Sequence, residues 1–151
     1  MRLQKYIDEN SLEAKIITLK SPTATVEESV KALNCELENI IKSIVLVTDT
    51  HDFYLAILQG DRKVKTKKLK RLLSVKDIRL ANPSQVEERT GYKVGDIPPI
   101  GVELPVIMDE LVINQKMLYA GGGTSLKSLY ISIEELLDCT HPLIADISVP
   151  I

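Results

Sequence analysis

The chain has no tryptophan, one phenylalanine, two cysteines and two histidines in 151 residues. It also has no apolar stretch approaching the ~18 residues that a membrane-spanning helix requires. Each scarcity excludes something. With so few aromatic rings, the core must be built from aliphatic side chains. Cys35 and Cys139 lie far apart and outside any C-x-x-C spacing. Each therefore reads as a small buried or half-buried side chain, not as half of a disulfide or a metal site. His51 and His141 belong to no H-E-x-x-H pattern or Cys/His cluster and read as exposed loop residues, so no metal site is expected. The segment from Met1 to Glu9 lacks the apolar core of a signal peptide. The expectation is a cytoplasmic protein that does not engage a membrane.

What is present fits one domain, residues 1–151, of ordinary globular composition: 44% hydrophobic and 26% charged. The net charge of −2 argues against indiscriminate coating of nucleic acid. One local exception stands out. Arg62, Lys63, Lys65, Lys67, Lys68, Lys70 and Arg71 place seven cations in ten residues with no acid among them. Such a run is either a solvated helix face or a footprint for phosphates.

Periodicity predicts a short helix over residues 3–9, a strand near 15–19 and a helix opened by Thr25 and Glu28 as a capping box. Residues 41–47 and 53–58 read as a hairpin, followed by a basic helical stretch over 63–73 with Leu69, Leu72 and Leu73 inward. A short strand at 78–80 precedes a helix with Pro83 in its first turn and Gly91 at its end. Strands are expected at 104–108, 117–120 and 128–131, then a helix opened by Ser132 and Glu135, and one last strand at 143–147. Short strands and helices without a regular βαβ rhythm indicate an α+β fold, with a curved, barrel-like mixed sheet surrounded by short helices.

Lys42 lies in an otherwise apolar run, Ile40-Ile41-Lys42-Ser43-Ile44-Val45-Leu46-Val47. A cation in a strand buried on both faces must reach water, a partner or a ligand. Its methylenes can snorkel to a pocket mouth or simply to the surface. Two glycine segments follow. Gly95-Asp96-Ile97-Pro98-Pro99-Ile100-Gly101 is a rigid turn or a loop offering backbone N–H groups to a ligand oxygen. Gly121-Gly122-Gly123-Thr124-Ser125 is a bulge, a flexible hairpin or a place where a ligand approaches closely. It matches neither a P-loop nor a dinucleotide fingerprint. Asp109, Glu110 and Asp146, beside strands, suit turn capping or an amine or hydroxyl ligand.

In order, Thr25 to Leu33, Ile41 to Val45, Gly60-Asp61-Arg62, Arg79 to Ala81, Thr90-Gly91-Tyr92-Lys93-Val94-Gly95, Pro99-Ile100-Gly101, Asp109-Glu110, Gly121-Gly122 and Ala145-Asp146-Ile147 form a set. This set resembles the YbaK/prolyl-tRNA synthetase-associated domain family of aminoacyl-tRNA editing deacylases, from about residue 22 to 148. The resemblance implies hydrolysis of the ester of a mischarged tRNA, of the Cys-tRNA(Pro) or Ala-tRNA(Pro) type, by a free-standing, metal-independent enzyme without a cofactor. It aligns Lys42 with the lysine needed for activity. It aligns Gly95 to Gly101 with a substrate-facing loop, including Pro99 and Ile100, where many members have Phe. Gly121, Gly122 and Gly123, with Asp146, fall to the substrate pocket. Arg62, Lys63, Lys67, Lys70 and Arg71 would meet the acceptor end of tRNA, and a synthetase is a further candidate partner. Two other readings stand beside this one: a non-catalytic binder of tRNA or of a synthetase, and a small-nucleotide binder using the triple glycine.

Overall fold

The computed structural model describes residues 2–23 and 25–151. In chain order the elements are α1 (Arg2–Glu9), β1 (Lys15–Thr18), α2 (Val26–Leu33), β2 (Ile41–Thr48), β3 (Phe53–Gln59), β4 (Arg62–Val64), α3 (Thr66–Leu73) and β5 (Ile78–Leu80). They continue with α4 (Pro83–Thr90), β6 (Val106–Asp109), β7 (Met117–Gly121), β8 (Lys127–Ser132), α5 (Ile133–Thr140), β9 (Leu143–Ala145) and β10 (Ser148–Pro150).

Apolar β2 and β3 form the expected hairpin, in register from Ile41 opposite Gln59 to Val47 opposite Phe53. They are the centre of a five-stranded mixed sheet ordered β5-β2-β3-β6-β9, in which β6 runs parallel to both β3 and β9. A three-stranded antiparallel sheet, β1-β8-β7, joins it through a bridge between Ile40 and Tyr119. The pair β10-β4 makes a third ladder. The fold is thus α+β with mixed, mutually packed sheets, and the strands do not close into a barrel.

Because β2 and β3 are apolar on both faces, the central sheet has a core on each side. Ile41, Val45, Leu55, Ile57 and Met108 face the larger one, which Leu118, Leu129, Ile131 and Leu136 complete. Leu46, Ala56 and Ile107 face a second core, closed by Leu69 of α3 and by Ile147. Burial of each of the larger side chains, Ala56 excepted, contributes roughly 1.5–3 kcal/mol. Helices α2, α4 and α5 begin where side-chain oxygens cap them. Thr25 Oγ1 accepts from Glu28 N–H, Asn82 Oδ1 from Gln85 N–H, and Ser132 Oγ from Glu135 N–H.

Three expectations need correction. The basic stretch is not one helix: Arg62 to Val64 pair with β10 as a strand, and the helix starts at Thr66. Leu72 is exposed, so the inner stripe of α3 is Leu69 and Leu73. The last strand splits after Ala145. Asp109 accepts the N–H of Ile147 at 3.0 Å, and the Ile147 carbonyl accepts from Lys65 N–H at 2.7 Å. Those bonds turn the chain off the edge of β6 and onto β4.

Candidate functional site

Lys42 is the second residue of β2, opposite Leu58 and on the face that carries Ile44 and Leu46. It sits at the end of the sheet where β3 runs out through Gly60 and Asp61 into the basic segment. The side chain is half-buried. Burial lowers its pKa, and the nearby Asp61 carboxylate opposes that shift. Among the described residues no hydrogen bond or ion pair holds the ammonium. A partly desolvated cation that no hydrogen bond or ion pair satisfies gains most from an anionic or strongly polar ligand.

Lys42 lines a cleft of about 240 Å³. One wall is α2, through Val26, Ser29 and Leu33. The opposite wall is the sheet face carrying Tyr119, Gly121 and Ser128, and Gly95 with Asp96 close one end. Lys42 and Lys127 are its basic lining residues and Asp96 its acidic one. Burial raises the pKa of Asp96, with Lys93 acting the other way.

The two glycine loops meet backbone to backbone. Gly123 N–H donates to the Asp96 carbonyl at 2.9 Å. A Cβ on Gly121 would overlap the Ile97 carbonyl, and one on Gly122 would overlap the returning backbone at Lys127. Gly123 has φ of +97°. The protein's own packing therefore already requires the triple glycine, and Gly121 also lines the cleft. Gly95 differs. Its φ is +91°, a Cβ there would meet nothing within 4 Å, and its N–H donates to no group among the described residues.

The remaining site expectations divide. Pro99 and Ile100 are buried, Ile100 within the main core, and neither lines the cleft. Gly101 packs against the ring of Tyr6, where a Cβ would come within 3.2 Å. The far half of this loop thus anchors it, and the near half, Gly95 and Asp96, faces the cleft. Asp146 is also outside the cleft, at 2.8 Å from the Lys68 ammonium. Arg62 is taken up by Ser148, bonding its hydroxyl at 2.7 Å and its carbonyl at 3.2 Å. Lys63, Lys67 and Arg71 are exposed and Lys70 is partly so, leaving a basic surface on β4 and α3. Nothing in the sequence marks Thr25, Ser29, Asp96 and Tyr119 as cleft residues. Val26 and Leu33 read as an ordinary helix stripe, and nothing in their spacing signals that this stripe borders a cleft.

The aminoacyl-tRNA editing domain family matches residues 20–139, a span that contains Lys42 and every lining residue of the cleft named above. The chain belongs to the aminoacyl-tRNA editing domain family. It is 32% identical over 141 residues, 93% of its length, to a proline–tRNA ligase of Halalkalibacterium halodurans. It is 37% identical over 100 residues, 66% of its length, to that of Caldicellulosiruptor saccharolyticus. It spans only 24% and 17% of those two ligases. A crystal structure of a candidate trans-editing enzyme for prolyl tRNA synthetase superimposes with a TM-score of 0.90 at 30% identity, covering 98% of this chain and 95% of the other. The crystal structure of a hypothetical protein gives 0.92 at 27% identity, covering 99% and 100%. In this editing domain no group of three or more His, Cys, Asp or Glu able to hold a metal exists among the described residues. Nor is any described helix long and apolar enough to cross a membrane.

Proposed function

We propose that this editing domain hydrolyses, in trans, the ester joining a mismatched amino acid to tRNA, with the Cys-tRNA(Pro) or Ala-tRNA(Pro) type as substrate. The observation that carries the reading is Lys42: a half-buried ammonium without a hydrogen bond or ion pair among the described residues, lining a cleft within the editing domain.

An aminoacyl ester is already activated, so the protein has little to supply beyond position and charge. Lys42 holds the terminal phosphate or the ester carbonyl through a charge-assisted bond. The Gly95 N–H, which donates to no acceptor among the described residues, donates to the carbonyl oxygen as it gains negative charge during attack. Gly123 N–H is already committed to Asp96, so the second loop acts by holding Gly95 in place rather than by donating itself. The attacking group is a water or a neighbouring group of the substrate, a choice that fits a described cleft lining without histidine or cysteine. The exposed cations of β4 and α3 meet acceptor-stem phosphates.

Incubation with a panel of mischarged tRNAs in EDTA tests this reading. Selective release of amino acid from one tRNA and amino-acid pair is expected. Binding without release on every pair would support the non-catalytic reading instead.

A further inference from the structure

The outer face of the β1-β8-β7 sheet carries a second groove, of about 520 Å³, lined by Lys15, Met117, Tyr130 and Ser132 together with Glu13 and Glu135. Strand alternation puts it on the same face as the Lys42 cleft. On β8, Leu129 and Ile131 point into the main core, so Ser128, Tyr130 and Ser132 point outward; on β7, Leu118 and Ala120 are buried, so Met117, Tyr119 and Gly121 point outward. Tyr119 lines the cleft and Tyr130 lines the groove. They are register partners across the two strands, with ring centroids 4.8 Å apart and planes tilted by 40°. The two concavities are therefore two ends of one surface, joined by a pair of partly exposed tyrosines.

We propose that this face is the path of a single-stranded RNA end, whose last residue enters the Lys42 cleft while the bases before it stack on Tyr130 and Tyr119. This rests on the editing reading only for which end of the RNA enters the cleft. Three observations favour RNA as the occupant. The tyrosines lie on β7 and β8 between the cleft and the groove, so a chain running from one to the other along the strands passes them. Partly exposed rings offer π-faces that any base can stack on. Lys15 stands opposite Tyr130 on β1, within reach of the backbone of such a strand. The groove also holds carboxylates, one of which, Glu135, already accepts the Glu13 N–H at 2.7 Å. Binding along this face consequently draws on stacking more than on charge, unlike the basic surface of β4 and α3.

Fluorescence anisotropy with two RNA hairpins tests the path: one ending in a single-stranded A-C-C-A 3′ overhang, the other blunt. The parent is expected to bind the overhang hairpin more tightly, and that advantage should persist as salt is raised while overall affinity falls. Tyr130→Ala should shrink the overhang-to-blunt affinity ratio by about five- to a hundredfold, the range for one lost base–aromatic stack. Tyr130→Phe, which keeps the ring, should retain it. Because the readout is a ratio within each variant, partial unfolding does not imitate the effect. Equal affinity of the parent for both hairpins, or an undiminished ratio in Tyr130→Ala, would overturn the proposal. Neither result depends on hydrolysis, so failure here and failure of the deacylation assay are separate outcomes.

Discussion

At the scale of single residues, Lys42 carries the account because its surroundings hold it partly away from water without a hydrogen bond or ion pair among the described residues. Burial is the first cause of its lowered pKa, and Asp61 only partly offsets it. Catalysis that needs the protonated ammonium is fully present at low pH and is lost as pH rises through that lowered pKa. The enzymatic rate, corrected for spontaneous ester hydrolysis, should therefore fall on the alkaline side below the ordinary lysine range. Bound anionic substrate favours the charged form, so the fall in kcat should lie at higher pH than the fall in kcat/KM. A rate that follows hydroxide concentration with no such fall would exclude the role. The sequence made this lysine visible because one charge in an apolar run violates the strand pattern. Asp96 carried no such mark: a lone aspartate between Gly and Ile in a turn looks like turn chemistry, and only the fold sets it in the cleft lining.

At the scale of elements, the two glycine loops form a single device. The first is anchored by its buried Pro99 and Ile100 and by Gly101 against Tyr6, and the second clamps it through Gly123 N–H. What remains exposed is Gly95 and the half-exposed Asp96. Gly121→Ala should therefore damage the site through the first loop, since its Cβ would displace the Ile97 carbonyl. The expected cost is about 1–3 kcal/mol, as for other forced overpacking, measured by chemical denaturation. Deacylation should fall with it even at temperatures where the variant stays folded. Unchanged stability would mean that the loops are not clamped together. The glycine motifs were legible as motifs, but their purpose was not. A run of three glycines looks the same whether a ligand or a neighbouring backbone comes close. Likewise the strand over residues 143–147 was legible as β-prone, but its break depends on Asp109, 38 residues upstream, reaching the Ile147 N–H.

At the scale of the whole molecule, helix caps, the β2-β3 hairpin and the alternation of β7 and β8 could be read locally, because each follows from nearest neighbours along the chain. The order β5-β2-β3-β6-β9 and the attachment of the second sheet through Ile40 and Tyr119 could not. They arise from long-range burial around two cores. That arrangement brings α2, the start of β2 and the glycine loops to one cleft, and it keeps β4 and α3 beside the turn that carries Asp61. The central claim is that this cleft breaks an aminoacyl–tRNA ester through Lys42. Its most direct test is single-turnover deacylation of the susceptible mischarged tRNA by the parent and by Lys42→Met, a side chain of similar length that removes the charge. The account predicts that Lys42→Met folds at least as stably, still binds the tRNA, and releases amino acid about a hundredfold or more slowly, as when an oxyanion-stabilising donor is lost. Release at the parent rate would contradict it.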